Sequence, residues 1–89
     1  MLRPVITKKF DRDLKRMLRR GKDGNKLNKI ISTLLAQQPL ESRNYDHKLS
    51  GSFEGHRECH IEPDWLLIYR VIPPILKLER TGTHADLFE

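Results

Sequence analysis

Trp65-Leu66-Leu67-Ile68-Tyr69-Arg70-Val71-Ile72 is the stretch on which the fold turns. Successive side chains of a strand point to opposite faces, and here both parities are apolar. Leu66, Ile68 and Ile72 lie on one parity, Leu67, Tyr69 and Val71 on the other. Such a strand belongs in the middle of a sheet, with something covering its second face. Upstream, Asp46–Leu49 and Arg57–Ile61 read as short strands joined through Gly51-Ser52-Phe53-Glu54-Gly55. Downstream, Pro73-Pro74 turns the chain into a strand over Ile75–Thr81. Consecutive short strands with tight turns pair as an antiparallel meander.

Before Pro39 the apolar period is 3.6 rather than 2. Val5–Ile6 reads as a short first strand, and Thr7 as a helix N-cap. Phe10, Leu14, Met17 and Leu18 line one helix face, which Gly21 ends. Asp23-Gly24-Asn25 turns the chain, and Leu27, Ile30, Ile31, Leu34 and Leu35 form a second stripe. Ala85-Asp86-Leu87-Phe88 is apolar enough to cover the open sheet face as a helical turn. The expected architecture is α+β, one domain over residues 1–89. Two N-terminal helices pack on a twisted antiparallel sheet of about four strands, with a short C-terminal helical turn.

Residues 1–30 hold eleven Lys and Arg against three Asp, a net +8, so the other 59 residues carry −3 of the total +5. A basic half on a mildly acidic remainder points to a polyanionic partner, nucleic acid first, with a solvated helical face as the even alternative. No apolar run reaches the ~20 residues of a membrane span, and Met1–Phe10 lacks a signal peptide's apolar stretch. The one cysteine, Cys59, shares its parity with Ile61 and reads as a small core residue. The cytoplasm is the expected compartment.

His47, His56, Glu58, His60, Asp64, Arg80 and His84 concentrate the chemistry after residue 46. Cleavage of RNA by its own 2′-hydroxyl needs a base for that proton, an acid for the departing 5′-oxygen and a cation for the phosphate. Histidine suits both proton roles, and the arginine fork matches two phosphate oxygens. No metal is required. His56, Cys59 and His60 are ligand types, but His56 and His60 would stand about 13 Å apart on a strand with Cys59 facing away from His60. Neither CxxC nor HExxH is present, and no metal or other cofactor is expected. Arg80 shares its parity with Leu76 and Leu78, which leaves open whether it snorkels, pairs with an acid or points into a polar site.

Three runs carry a resemblance: Asp46-His47-Lys48-Leu49 with Gly51 to Gly55, Arg57 to Arg70, and Leu78-Glu79-Arg80-Thr81-Gly82-Thr83-His84-Ala85-Asp86-Leu87-Phe88. In order, they closely resemble the YafQ-type toxins of the RelE/ParE superfamily. Detail extends over roughly the last 45 residues, while the N-terminal half agrees in its two-helix layout and basic character. The resemblance implies the RelE fold, with the active site on the sheet face opposite the helices. It implies a type II toxin that cleaves mRNA in the ribosomal A site. Neutralisation by a small cognate antitoxin is implied as well, with operator DNA bound only through their complex.

The family's functional positions fall on His47, His60, Asp64, Trp65, Arg80, His84 and Phe88. His84 is expected as the general acid rather than a helix cap, and Arg80 as the phosphate cation rather than a structural partner of Glu58 or Glu79. His47, His60 and Asp64 remain alternatives for the base. Trp65 and Phe88 read equally as base-stacking and as packing residues. Lys15, Arg16 and Arg19 on the first helix are the expected ribosomal RNA contacts. His56 and Glu58 carry no assignment. Two rivals stand beside this: a non-catalytic ParE-like toxin that binds a protein target, and a plain RNA-binding module.

Overall fold

A computed structural model describes all 89 residues. In chain order the elements are β1 (Arg3–Ile6), α1 (Lys8–Arg19), α2 (Gly24–Leu35), β2 (His47–Lys48), β3 (Arg57–Glu62), β4 (Trp65–Ile72), β5 (Ile75–Gly82) and α3 (His84–Phe88). The strands form one sheet in the order β1-β5-β4-β3-β2, which puts β4 in the centre. Trp65 to Tyr69 are all buried. No helix is long and apolar enough to cross a membrane.

The sheet departs from the expected four antiparallel strands. It has five, and β1 pairs with β5 in parallel, Arg3 opposite Ile75 through Ile6 opposite Leu78. All four β1 residues are exposed, so no inward–outward alternation marks them. Beyond Leu78 the outer edge of β5 has no strand partner, and the start of α1 replaces one. Thr7 N–H donates to the Leu78 carbonyl at 3.2 Å, Thr7 Oγ1 donates to the Glu79 carbonyl at 2.8 Å, and Thr81 N–H donates to Asp13 Oδ2 at 3.2 Å. These groups would otherwise be buried without partners.

Thr7 also caps α1, its hydroxyl accepting from Phe10 N–H, and Gly21 at φ +89° ends it in a conformation that favours glycine. The expected turn at Gly24 is instead the first residue of α2, capped by Asp23. Phe10 and Met17 of α1 and Leu27, Ile30 and Leu34 of α2 pack with Cys59, Trp65, Leu67, Tyr69, Leu76 and Leu78 on one sheet face. Leu18, expected in that stripe, is exposed. Cys59 is a core residue, and burial pushes its thiol up to about 12.

On the opposite face Leu66 and Ile68 are covered by Leu87 of α3, with Leu49 and Phe53 alongside. Gly82 makes this return possible, since a Cβ there would stand 3.0 Å from that of Asp86. A capping box starts α3: Asp86 N–H donates to Thr83 Oγ1, and Thr83 N–H to Asp86 Oδ2. Arg20, just past the end of α1, grips the same carboxylate at 2.6 and 3.0 Å. The first and last helices are thereby tied together.

Candidate active site

Residues opposite one another across a ladder share a face, so the strand register locates the site. His47 lies opposite Glu58, Glu58 opposite Ile68, and Ile68 opposite Arg80. The adjacent row runs His60, Leu66, Gly82. Since Leu66 and Ile68 belong to the face away from α1 and α2, so do His47, His60, Glu58 and Arg80.

Arg80 reaches that face through a bulge. Tyr69 lies opposite Leu78 and Ile68 opposite Arg80, so Glu79 is an extra residue that reverses the parity. The row Leu76, Leu78, Arg80 expected from simple alternation is broken there. Arg80 pairs with neither Glu58 nor Glu79. Its Nε donates to Asp13 Oδ2 at 2.6 Å and its Nη2 to Asp13 Oδ1 at 3.2 Å. Asp13 is buried and raises the guanidinium's affinity for its proton. Two of the three guanidinium nitrogens are thus committed, leaving Nη1.

At the sheet margin the turn carboxylate Asp64 meets α3. Its Oδ1 accepts from His84 N–H at 2.9 Å and lies 2.6 Å from His84 Nδ1. The backbone N–H and then the imidazole hold the Asp64 carboxyl below its usual range. An acceptor at Nδ1 leaves Nε2 as the atom of His84 free for proton transfer. The imidazole is half exposed.

Aromatic rings run in a continuous arc over this face. Centroids are 4.4 Å apart for Tyr45 and His47, 5.7 Å for Tyr45 and His60, and 6.5 Å for His47 and His60. The arc continues from His60 to His84 at 5.8 Å, to Phe88 at 6.4 Å and to Phe53 at 5.9 Å. Phe88 and Tyr45 are largely exposed and offer flat apolar surface beside the imidazoles. Tyr45 was not singled out from the sequence; it sits in a left-handed turn at φ 44° just before β2. Its place ahead of Asp46-His47 was the available signal.

Two of the expected substrate contacts are elsewhere. Trp65 is wholly buried on the helix-packed face, where its indole N–H donates to Thr81 Oγ1 at 2.9 Å. It is a packing residue and has no surface for a base. Arg16 is held by Asp13 at 3.1 Å and lies 4.0 Å from Asp86, so it belongs to the bracing of α1. Lys15 is exposed and paired only with Asp11 one turn away, and Arg19 is exposed. Those two remain on the solvent face of α1.

Glu58, unassigned from the sequence, is buried with Oε2 at 3.1 Å from His47 Nε2 and 3.6 Å from His60 Nε2. His56 turns from the imidazole arc to Glu79 at 3.2 Å. No group of three or more His, Cys, Asp and Glu side chains converges as a metal-binding cluster.

Residues 2–89 match the model of a family described as bacterial toxin of type II toxin–antitoxin system, YafQ. A curated relative, the mRNA interferase toxin YafQ of Escherichia coli K12, is 48% identical over 81 residues, covering 89% of this chain and 87% of its own length. Crystal structures agree in fold. YafQ of E. coli BL21(DE3) superposes with a TM-score of 0.94 at 39% identity, with both chains covered completely. YafQ in the E. coli DinJ–YafQ complex gives 0.91 at 40% identity, again with complete coverage. A metal-bound toxin from Helicobacter pylori gives 0.93 at 41% identity, over 99% of this chain and 100% of that one. An α+β fold that superposes on YafQ crystal structures, a close curated relative and a family match over nearly the whole length agree: the chain belongs to the YafQ family of bacterial type II toxins.

Proposed function

We propose that this YafQ-family mRNA interferase cuts ribosome-bound message by attack of the ribose 2′-hydroxyl on the adjacent phosphate. The observation that carries the reading is the pair His60 and His84. Their rings are 5.8 Å apart, and each has Nδ1 engaged by an oxygen, Pro63 carbonyl for one and Asp64 carboxylate for the other. A phosphate held against both rings meets a base and an acid.

In this mechanism Nε2 of His60 takes the 2′-hydroxyl proton as the O2′–P bond forms. Nε2 of His84 gives its proton to the 5′-oxygen as the P–O5′ bond breaks. Asp64 orients His84 and is not itself the base. Arg80, fixed by Asp13, offers its remaining N–H groups to the phosphate. Tyr45 and Phe88 flank the imidazoles as stacking surfaces for bases.

The ribosome enters through charge: the solvent face of α1 presents Arg12, Lys15 and Arg19 to ribosomal RNA, with the message held in the A site. A cognate antitoxin neutralises the toxin, as the E. coli DinJ–YafQ toxin–antitoxin complex suggests, and in this reading operator DNA is reached only through the antitoxin. The setting is the cytoplasm, where ribosomes are.

Programmed ribosomes and mapping of RNA ends test the chemistry. The expected products end in a 2′,3′-cyclic phosphate or its 3′-phosphate hydrolysis product, with a 5′-hydroxyl on the other fragment. Toxin dialysed against chelator should cut at the same rate, because proton transfer alone is required. Termini with a 3′-hydroxyl would overturn the mechanism.

A further inference from the structure

His47 and His60 each commit one ring nitrogen to a backbone carbonyl. His47 Nδ1 is 2.8 Å from the Tyr45 oxygen, and His60 Nδ1 is 3.2 Å from the Pro63 oxygen. A carbonyl oxygen only accepts, so Nδ1 carries a proton in both rings, and Nε2 is the atom that gains or loses one. Both Nε2 atoms face a single oxygen, Glu58 Oε2, at 3.1 Å from His47 and 3.6 Å from His60.

Glu58 is itself buried at 5% exposure. The two imidazoles are its only ion-pair partners. His56, just before β3, turns instead to Glu79, and opposite Glu58 β4 presents Ile68. Arg80 lies one strand further, on β5, held by Asp13. His84 of α3 is held by Asp64. A carboxylate this deep is strongly disfavoured without a partner, and histidine is what this pocket supplies.

We infer that Glu58 is a positioning residue of the cleavage site, the shared counter-charge for His47 and His60. The two contacts differ in a way that divides the work. At 3.1 Å the His47 contact is an ion pair whenever Nε2 carries a proton. At 3.6 Å the His60 lone pair is not spent on Glu58 and remains open to a 2′-hydroxyl. Once His60 takes that proton, the new imidazolium lies beside a negative oxygen in a water-poor pocket, where the attraction is strongest. The inference rests on the acid–base reading above, and it assigns the carboxylate that makes the base effective.

Two variants and two measurements test it. Glu58→Gln keeps the shape and removes the charge, whereas Glu58→Asp keeps the charge on a shorter stem. With programmed ribosomes, the Gln variant should cut about 10- to 100-fold more slowly with KM unchanged. The acid limb of its rate profile should move, because the negative charge that both imidazoles face has been removed. The Asp variant should recover most of the rate and the limb. Proton–nitrogen NMR on the free protein provides the second readout: the ring Nε2 resonances of His47 and His60 should both be displaced in Glu58→Gln and restored towards wild type in Glu58→Asp. Ring Nε2 resonances identical to wild type, or a slow variant whose acid limb has not moved, would overturn the inference. Wild-type products ending in 3′-hydroxyl would instead sink the acid–base reading, and the ring resonances would still decide whether Glu58 serves both histidines.

Discussion

Oδ1 of Asp64 holds His84 twice, through its backbone N–H at 2.9 Å and its Nδ1 at 2.6 Å. One oxygen thereby fixes where α3 begins and which way the imidazole faces. Asp64→Asn can offer its amide nitrogen to Nδ1 and so favour the wrong tautomer. Cleavage should fall by about 10- to 100-fold. Thermal stability should change little, because the carboxylate is well exposed. A variant that cuts at the wild-type rate would remove Asp64 from the orienting role.

Asp13 does structural work that no surface charge could do. Its carboxylate accepts from Arg80, from Arg16 and from the otherwise unpaired Thr81 N–H. Asp13→Ala would strand a half-buried guanidinium and a buried donor, a loss of about 3 kcal/mol. At about 4–8 °C per kcal/mol for a domain of this size, that is a fall in Tm exceeding 10 °C. Thermal denaturation followed by circular dichroism measures it, and a shift under 3 °C would show that the network is dispensable.

The central strand was legible because Trp65–Ile72 is apolar at both parities, and the observed strand has those bounds. The helices, the N-cap at Thr7 and the cover over the second face by Leu87 were legible for the same reason, that local patterns report local burial. What escaped was non-local. β1 pairs with β5 across some seventy residues, and its exposed side chains carry no alternation. A single extra residue, Glu79, turned Arg80 to the other face, and no periodicity announces a bulge. The pairing of Arg80 with Asp13 joins a helix to a strand edge, which neither segment shows alone. For the site, the resemblance named His47, His60, Asp64, Arg80, His84 and Phe88, which lie on or beside one face, and Trp65, which is buried on the other. Glu58 needed the register, which sets it opposite His47 and two residues from His60 on the same face.

The cationic face of α1 should govern ribosome binding. Reversing Arg12, Lys15 and Arg19 to glutamate leaves the buried Phe10, Asp13 and Met17 untouched, so the fold should survive. Affinity for ribosomes should drop and its dependence on salt should flatten. Arg16 is excluded from this set because it braces Asp13 and Asp86. Unchanged binding across a salt series would assign the charge to solubility.

Acid should loosen the junction of α1 and α3. The Arg20 guanidinium holds the Asp86 carboxyl far below the usual range. A carboxylate depressed in the folded state contributes stability above its unfolded value of about 3.9 and loses it as pH falls through the folded value. Arg20 is exposed to solvent, which screens the pair and keeps its contribution small. Asp86→Asn should therefore lower Tm modestly at pH 7, and the gap to wild type should close as pH falls from about 5 to 2. Parallel curves across that range would show that the pair does not contribute.

The central claim is that His84 gives a proton to the departing 5′-oxygen. Replacing that oxygen with sulfur makes a leaving group that departs without protonation, so the claim can be isolated from binding and folding. His84→Ala should cut ordinary message on programmed ribosomes on the order of 10²-fold more slowly than wild type. On a message carrying the 5′-thio linkage at the cleavage site, the two proteins should cut at nearly equal rates. A His84→Ala protein that is folded and equally impaired on both substrates would contradict the assignment.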